Sequence, residues 1–223
     1  MIPYKILATG SEGNASILNK HVLIDCGVPF SMLLPYRYTL SLVLLTHIHS
    51  DHFRESTIKR LAGERPTLRW GCGRWLVQNL LRCGVSPYQI DVLEDEFKRY
   101  DYGICSVSPV PLEHNVPNQG YRIFFATGSA FYATDMCNLN GIVAKDYDLY
   151  MVEANYEEEE IKRRIKEKRA AGEYPYELRA IRDHMSKQAT DSWLYRNMGP
   201  NSQYIYMHQH RFNDEEGTKI ECL

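Results

Sequence analysis

Four side chains that can bind metal lie within six consecutive residues of this chain. They belong to the segment His47-Ile48-His49-Ser50-Asp51-His52, which directly follows the apolar run Leu42 to Thr46. Imidazole nitrogens combined with carboxylate oxygens suit zinc and other late first-row metals. The histidines at positions i and i+2 can turn toward one ion, while Asp51 and His52 can turn toward a second. The pattern predicts a site for two divalent metal ions, with zinc expected first and manganese as the alternative.

Four ligands cannot complete two metal sites, so more must come from later in the chain. His114 follows a strand-like segment, Asp135 follows the predicted strand Phe131 to Thr134, and His208 follows the predicted strand Gln203 to Met207. Side chains at strand ends can converge on one rim of a sheet. His210 is an alternative to His208, but His208 directly ends its strand and is therefore the preferred ligand.

The composition indicates an ordinary globular protein. The chain has 223 residues, 44% of them hydrophobic and 24% charged, with a formal net charge of −2. No apolar run approaches the ~20 residues of a membrane span. The first residues show no export signal, and the 6 cysteines contain no CxxC pair, which indicates reduced thiols. We therefore expect a cytoplasmic protein of one domain, or at most two small ones, with no membrane partner.

The elements that must position these residues alternate between strands and helices. Short apolar runs separated by turn residues predict strands in the first half, and a helix is predicted from Glu55 to Ala62, ended by Gly63. Further predictions are a strand from Gly103 to Val107, a helix from Glu157 to Ala171, and a helix capped by Ser186. This order favours a layered α/β domain with helices outside.

Three further segments extend the pattern along nearly the whole chain. They are the opening Ala8-Thr9-Gly10-Ser11-Glu12-Gly13-Asn14-Ala15, the strand end Leu23-Ile24-Asp25-Cys26-Gly27, and Gly120-Tyr121-Arg122-Ile123. With the HxHxDH segment and the later His, Asp and His, the chain resembles the metallo-β-lactamase superfamily. Within that superfamily it is most similar to the YycJ-like (WalJ-like) branch, from residue 7 to about residue 210.

The resemblance implies a fold and a ligand set. The fold is an αββα sandwich of two mixed sheets with helices outside, here as a single domain over residues 1–223. The interval between Asp135 and His208 is too short for the large β-CASP domain inserted in some nucleases of the superfamily. Carried over by motif, the first metal is held by His47, His49 and His114, the second by Asp51, His52 and His208, and Asp135 bridges the two.

Two more residues resemble the catalytic pair of tRNase Z and related phosphodiesterases. The resemblance implies that His184 donates a proton to the leaving oxygen and that Glu153 orients it, while a hydroxide bridging the metals is the nucleophile. Asp51 is the third catalytic candidate. Arg179 and Arg182 flank His184 and can match phosphate oxygens with their guanidinium groups. Together with Asn14 of the opening motif, they are the substrate-binding candidates.

These residues predict a dinuclear, metal-dependent phosphodiesterase, and the YycJ-like resemblance makes a DNA exonuclease the first expectation. The expected partner is therefore nucleic acid, DNA before RNA, and the oligomeric state stays open, with a homodimer as one alternative. A rival function on the same site is hydrolysis of a small molecule, namely a cyclic nucleotide, a lactone or a thioester. A second rival is a non-catalytic, metal-bound regulatory protein, which the retention of all seven ligands argues against.

Overall fold

The computed structural model of the protein describes residues 1–209. Residues 210–223, which include the alternative ligand His210, lie outside the described part. The prediction of one domain spanning residues 1–223 therefore stays a prediction. Within residues 1–209, no helix is long and apolar enough to cross a membrane.

The N-terminal half of the chain forms a mixed sheet of six strands, in the order β1-β2-β3-β4-β5-β6. The first three strands pair antiparallel, and β3 to β6 pair parallel. Their bounds are β1 Tyr4–Ala8, β2 Ala15–Leu18, β3 Val22–Ile24, β4 Leu42–Leu45, β5 Arg69–Cys72 and β6 Ile90–Val92.

The second sheet is also mixed and has six strands, in the order β12-β11-β10-β9-β8-β7. Strands β10, β11 and β12 are parallel, whereas β7 to β10 are antiparallel. Their bounds are β7 Tyr100–Asp101, β8 Ser106–Leu112, β9 Asn118–Phe125, β10 Gly128–Ala133, β11 Leu149–Glu153 and β12 Gln203–Met207.

The helices lie in the connections between these strands. They are α1 Phe30–Leu33, α2 Glu55–Glu64, α3 Val77–Arg82, α4 Glu158–Ala170, α5 Glu177–Asp183 and α6 Lys187–Asn197, with short 3₁₀ turns at Arg74–Leu76 and Pro87–Gln89. The predicted cap is confirmed, since the hydroxyl of Ser186 accepts a hydrogen bond from the backbone N–H of Ala189 at 3.1 Å.

Alternation along the strands separates three apolar clusters. In β4, Leu42 and Leu44 face β-strand residues of the second sheet, whereas Val43 and Leu45 pack in the cluster that includes Ile58 and Leu61 of α2. On the outer face of the second sheet, Trp193 and Leu194 of α6 pack with strand residues of that sheet. Helices thus cover both outer faces, and the predicted αββα sandwich is confirmed.

Two predicted boundaries are wrong for identifiable reasons. Gly63 does not end α2, which continues to Glu64 and stops at Arg65, before Pro66. A residue that precedes proline is disfavoured in the helical conformation, so Pro66 rather than Gly63 ends the helix. The strand predicted over residues 103–107 instead begins at Ser106 and continues to Leu112.

Candidate metal centre

Three of the predicted ligand and catalytic residues sit at the ends of neighbouring parallel strands. Asp135 follows β10, Glu153 is the last residue of β11, and His208 follows β12. Because β10, β11 and β12 run parallel, their carboxyl ends meet at one edge of the second sheet. The strand order alone therefore brings together side chains that are far apart in sequence.

The first sheet contributes to the same edge through the segment after β4. His47, His49, Asp51 and His52 belong to this segment, and Asp25 follows the neighbouring parallel strand β3. Asp25, Asp135 and His208 all have left-handed backbone conformations, with φ of 61°, 56° and 50°. Such conformations are uncommon for residues other than glycine and concentrate at functional sites. Here each one turns the chain sharply at the end of a strand.

Four residues form a first cluster: His47, His49, His114 and Asp135, whose potential ligand atoms all lie within 4.8 Å of one another. His47 Nε2 is 3.1 Å from His49 Nδ1, and His114 Nε2 is 3.4 Å from the same atom. Three imidazoles and a carboxylate at this spacing could hold one divalent ion.

A second cluster lies beside the first and contains Asp51, His52 and His208. His208 Nε2 is 3.4 Å from Asp51 Oδ2. Asp135 stands between the clusters, since its Oδ2 is 2.9 Å from His52 Nε2 and its Oδ1 is 3.4 Å from His208 Nε2. The structure thus brings these seven residues together in the two groups that the resemblance implies, and their binding of metal stays a prediction.

The state of Asp135 tests whether these residues fit a metal. Its Oδ2 is buried, and the polar atom that faces it is Nε2 of the predicted ligand His52, 2.9 Å away. A buried carboxylate is costly unless a positive charge compensates it. A divalent cation between Asp135 and the surrounding imidazoles would do so, and the donor set therefore fits a metal centre.

The protonation states of Asp135 and His47 agree with this fit. Burial would raise the pKa of Asp135, but the charges of His52 and His208 outweigh it and hold the pKa well below its ordinary value. Burial, followed by the charge of His52, lowers the pKa of His47 well below its ordinary value. Near neutral pH, Asp135 is therefore ionised and His47 is neutral, which are the forms that bind metal.

Residues outside the predicted set hold the histidine rings in place. Asp25 is fully buried, and its Oδ2 accepts a hydrogen bond from His52 Nδ1 at 2.7 Å. The backbone carbonyl of Asp183 lies 3.1 Å from His114 Nδ1. These contacts leave Nε2 of each ring for a metal, as is usual for ligating histidines. The Asp in the Leu-Ile-Asp-x-Gly segment was the available signal for Asp25, whereas no signal marked the carbonyl of Asp183.

His184 and Glu153 form a pair beside the two clusters. His184 Nδ1 is 2.6 Å from Glu153 Oε1, and Glu153 is fully buried. Burial would lower the pKa of His184, but the hydrogen bond and charge of Glu153 outweigh it and raise the pKa. The pair has an alternative use, because Asp135, Glu153, His184 and His208 also lie close enough to share an ion.

The three substrate-binding candidates have different surroundings. Asn14 is fully buried, and its amide donates to the Gly10 carbonyl at 3.0 Å and to Asp51 Oδ2 at 3.2 Å. Arg182 pairs with the adjacent Asp183 through contacts of 2.7 and 2.8 Å. Arg179 is exposed on α5. Their roles toward substrate stay predictions, and the observed contacts of Asn14 are with Gly10, Asp51 and His52, whose Nε2 lies 2.8 Å from the Asn14 amide nitrogen.

Comparisons with known proteins agree with this fold. The model of the β-lactamase superfamily domain matches residues 20–193. Among solved structures, the metallo-β-lactamase fold protein YhfI from Bacillus subtilis aligns with a TM-score of 0.71 and 15% identity, covering 95% of this chain and 88% of that one. The short form of human tRNase Z aligns with a TM-score of 0.67 and 15% identity, covering 94% and 92%. A diphosphatase from the PhnP family aligns with a TM-score of 0.64 and 15% identity, covering 94% and 87%. A search of curated proteins gave no significant match.

Proposed function

This chain belongs to the metallo-β-lactamase superfamily, and from that premise we propose that it is a dinuclear, metal-dependent phosphodiesterase. The fold and the His/Asp clusters support a metal-dependent hydrolase. In this proposal His47, His49 and His114 hold one ion, Asp51, His52 and His208 hold the other, and Asp135 bridges them. When bound, the two ions would activate water and stabilise the charge that develops on the phosphoryl group.

The observation that carries the choice of a phosphodiester is the pair formed by His184 and Glu153. A phosphodiester releases a sugar alkoxide, which is a poor leaving group unless it receives a proton. Glu153 Oε1, 2.6 Å from His184 Nδ1, orients the ring and favours its protonated form, so the proton on Nε2 is available for transfer. Thioesters and activated lactones have less need of such an acid.

The proposed substrate is nucleic acid, and DNA comes first because of the YycJ-like sequence pattern. Two structural neighbours are named as a tRNase and a diphosphatase, which supports chemistry at phosphorus and makes RNA the alternative polymer. Arg179 and Arg182, on the helix that leads into His184, are proposed to hold phosphates on either side of the cleaved bond.

Gel analysis of end-labelled single- and double-stranded DNA and RNA tests the proposal, with manganese and with zinc. We expect cleavage that depends on metal, and the pattern of labelled products shows whether it starts from one end. Asp135→Asn should abolish cleavage, whereas Asp101→Asn, a carboxylate outside the clusters, should leave it unchanged. Turnover of a thioester, a lactone or a cyclic nucleotide without cleavage of either nucleic acid would contradict the nuclease and favour the small-molecule hydrolase.

A further inference from the structure

A cavity of about 560 Å³ opens directly beside the proposed metal ligands. Ser50 and Asp51 are among its lining residues, and Asp51 also belongs to the second ligand cluster. Pockets for small molecules have volumes of ~300–1,000 Å³, so this cavity can hold one monomer unit of a polymeric substrate next to the reacting phosphate.

Part of the lining is apolar. Ile48, which is half-buried, belongs to the lining, as do Gly27, which has no side chain, and Phe53, which is 4% exposed. A Cβ atom on Gly27 would meet the carbonyl oxygen of Asp51 at 1.6 Å, so the chain after β3 packs directly against the ligand segment. An apolar surface of this kind suits the face of a flat ring.

The uncharged polar part of the lining comes from two loops and two helices. It consists of the hydroxyls of Ser11, Ser50 and Ser56 and the amide of Asn79. Within residues 1–209, none of these four side chains makes a hydrogen bond to the protein. Their donors and acceptors are therefore available for the edge of a base or the hydroxyls of a sugar.

The charges of the lining do not favour a second phosphate in the cavity. Apart from Asp51, which is a proposed metal ligand, the charged lining residues are Arg54, Glu12 and Glu55, and Glu55 pairs with Lys59 at 3.4 Å. Because Glu12 offsets Arg54, the cavity has no net attraction for phosphate but can accept an uncharged nucleoside. His184 and Glu153 do not belong to the lining, so the cavity lies away from the group that would protonate the leaving oxygen.

We infer that this cavity binds the nucleoside that stays attached to the phosphate after cleavage, with its base against Ile48 and its polar edges on the serines and Asn79. The inference rests on the proposed phosphodiesterase function and specifies the substrate side of the same site.

The test compares three chromogenic phosphodiesters that share one leaving group. Thymidine 5′-(p-nitrophenyl phosphate) and its 3′ isomer present a nucleoside on the retained side in either polarity, and methyl p-nitrophenyl phosphate presents only a methyl group. We expect kcat/KM for at least one thymidine ester to exceed that for the methyl ester about tenfold or more, because only a nucleoside can fill the cavity.

Two variants then assign that preference to the cavity. Ser56 is exposed on α2, so Ser56→Trp should fill the cavity with little effect on the core. It should lower kcat/KM for the preferred thymidine ester about tenfold, and the ratio of thymidine-ester to methyl-ester turnover should fall with it. Asn79→Ala should reduce the thymidine preference about fivefold through one lost hydrogen bond. Ser192→Trp, at an exposed position of α6, is the matched control and should change neither substrate.

The outcomes separate the two claims. Equal turnover of thymidine and methyl esters by the unmodified protein, or an unchanged preference in Ser56→Trp and Asn79→Ala, would overturn the nucleoside cavity and leave the phosphodiesterase intact. No turnover of any of the three esters by the metal-loaded protein would overturn the proposed function, and this inference with it.

Discussion

Replacement of His184 by alanine gives the sharpest test of the chemistry. Its Nδ1 is 2.6 Å from the buried Glu153 carboxylate, so the ring is held in one orientation and its proton-bearing form is favoured. A positioned general acid contributes about 10²–10⁴-fold to a rate. At ~1.36 kcal/mol for each factor of ten, this corresponds to about 2.7–5.4 kcal/mol of transition-state stabilisation. His184→Ala should therefore slow cleavage of a natural phosphodiester by that factor.

The same substitution should affect an activated substrate much less. A p-nitrophenyl ester releases a stable phenolate that needs no proton, so its rate should fall less than about tenfold if His184 acts as the acid. The informative quantity is a ratio: the fold loss of cleavage rate on DNA divided by the fold loss of rate on the p-nitrophenyl ester, with both rates measured while two metal ions are still bound. Glu153→Gln should give the same pattern more weakly, because the glutamine can still contact the ring but removes the charge.

Metal content decides between the two arrangements that the geometry permits. His184 also lies near Asp135, Glu153 and His208, where it could share an ion. Elemental analysis of His184→Ala should show an unchanged metal content if His184 is the acid. The matched control is His21→Ala, since the His21 ring contacts the Thr39 carbonyl and lies outside the clusters. A ratio near one, together with loss of metal, would refute the proposed role of His184.

Four further predictions concern the metal centre and its supports. By elemental analysis, Asp135→Ala should lose both metal ions, and His208→Ala should lose only the second ion. If His210→Ala loses that ion and His208→Ala keeps it, the choice of His208 as ligand is wrong. Asp25→Asn should weaken metal affinity about 10–100-fold in a chelator competition, because it removes the carboxylate that orients His52; unchanged affinity would exclude that role. Gly27→Ala should lower both the metal content and the melting temperature, because the added Cβ atom would meet the Asp51 carbonyl oxygen at 1.6 Å. The control is Gly63→Ala, whose added Cβ atom has no neighbour within 4 Å and which should be neutral or stabilise the fold by about 1 kcal/mol. Finally, burial would lower the pKa of His52, but Asp135 and Asp25 raise it well above its ordinary value, so a metal ion must displace the proton of His52. Metal affinity should therefore rise with pH through neutrality. Calorimetry of metal binding in buffers of different ionisation enthalpy should detect the released proton.

The sequence predicts the ligand-bearing strands well, because each is a short apolar run that ends in a chemically distinctive residue. The strand Gln203–Met207 was predicted with its observed bounds, and the strand that precedes His47 was predicted to within one residue. Strand β8 is a contrasting case: the strand was predicted over residues 103–107, but it continues to Leu112 through Pro109 and Pro111, residues that a sheet tolerates only where no N–H donor is needed. In the structure β7 is only two residues long and pairs with Ser106 and Val107 of β8. Pro109 and Pro111 lie beyond the end of β7, so they have no strand on that edge of β8 to which an N–H group would have to donate.

Helix α5 was not predicted, although it has a direct effect on the site. It is seven residues long, and its buried residues are Glu177 and Asp183 rather than apolar ones, so it lacks the hydrophobic stripe by which helices are recognised. Lys168 of α4 neutralises Glu177 at 2.7 Å, and the carbonyl of Asp183 lies 3.1 Å from His114 Nδ1. The first contact joins side chains of two different helices, and the second involves a backbone carbonyl, so no local sequence pattern predicts either of them.

The same distinction explains why the reaction is easier to predict than the substrate. Metal ligands and general acids come from a few residue types, here histidine and carboxylates, and these types at strand ends are conspicuous in a sequence. A nucleoside, by contrast, can be recognised by serine hydroxyls, an amide and an apolar wall, which are among the commonest features of any surface. Ser11, Ser56 and Asn79 acquire meaning only because three separate segments place them around one cavity beside Asp51. Their convergence is a property of the tertiary structure, so the substrate class has to be argued from the fold.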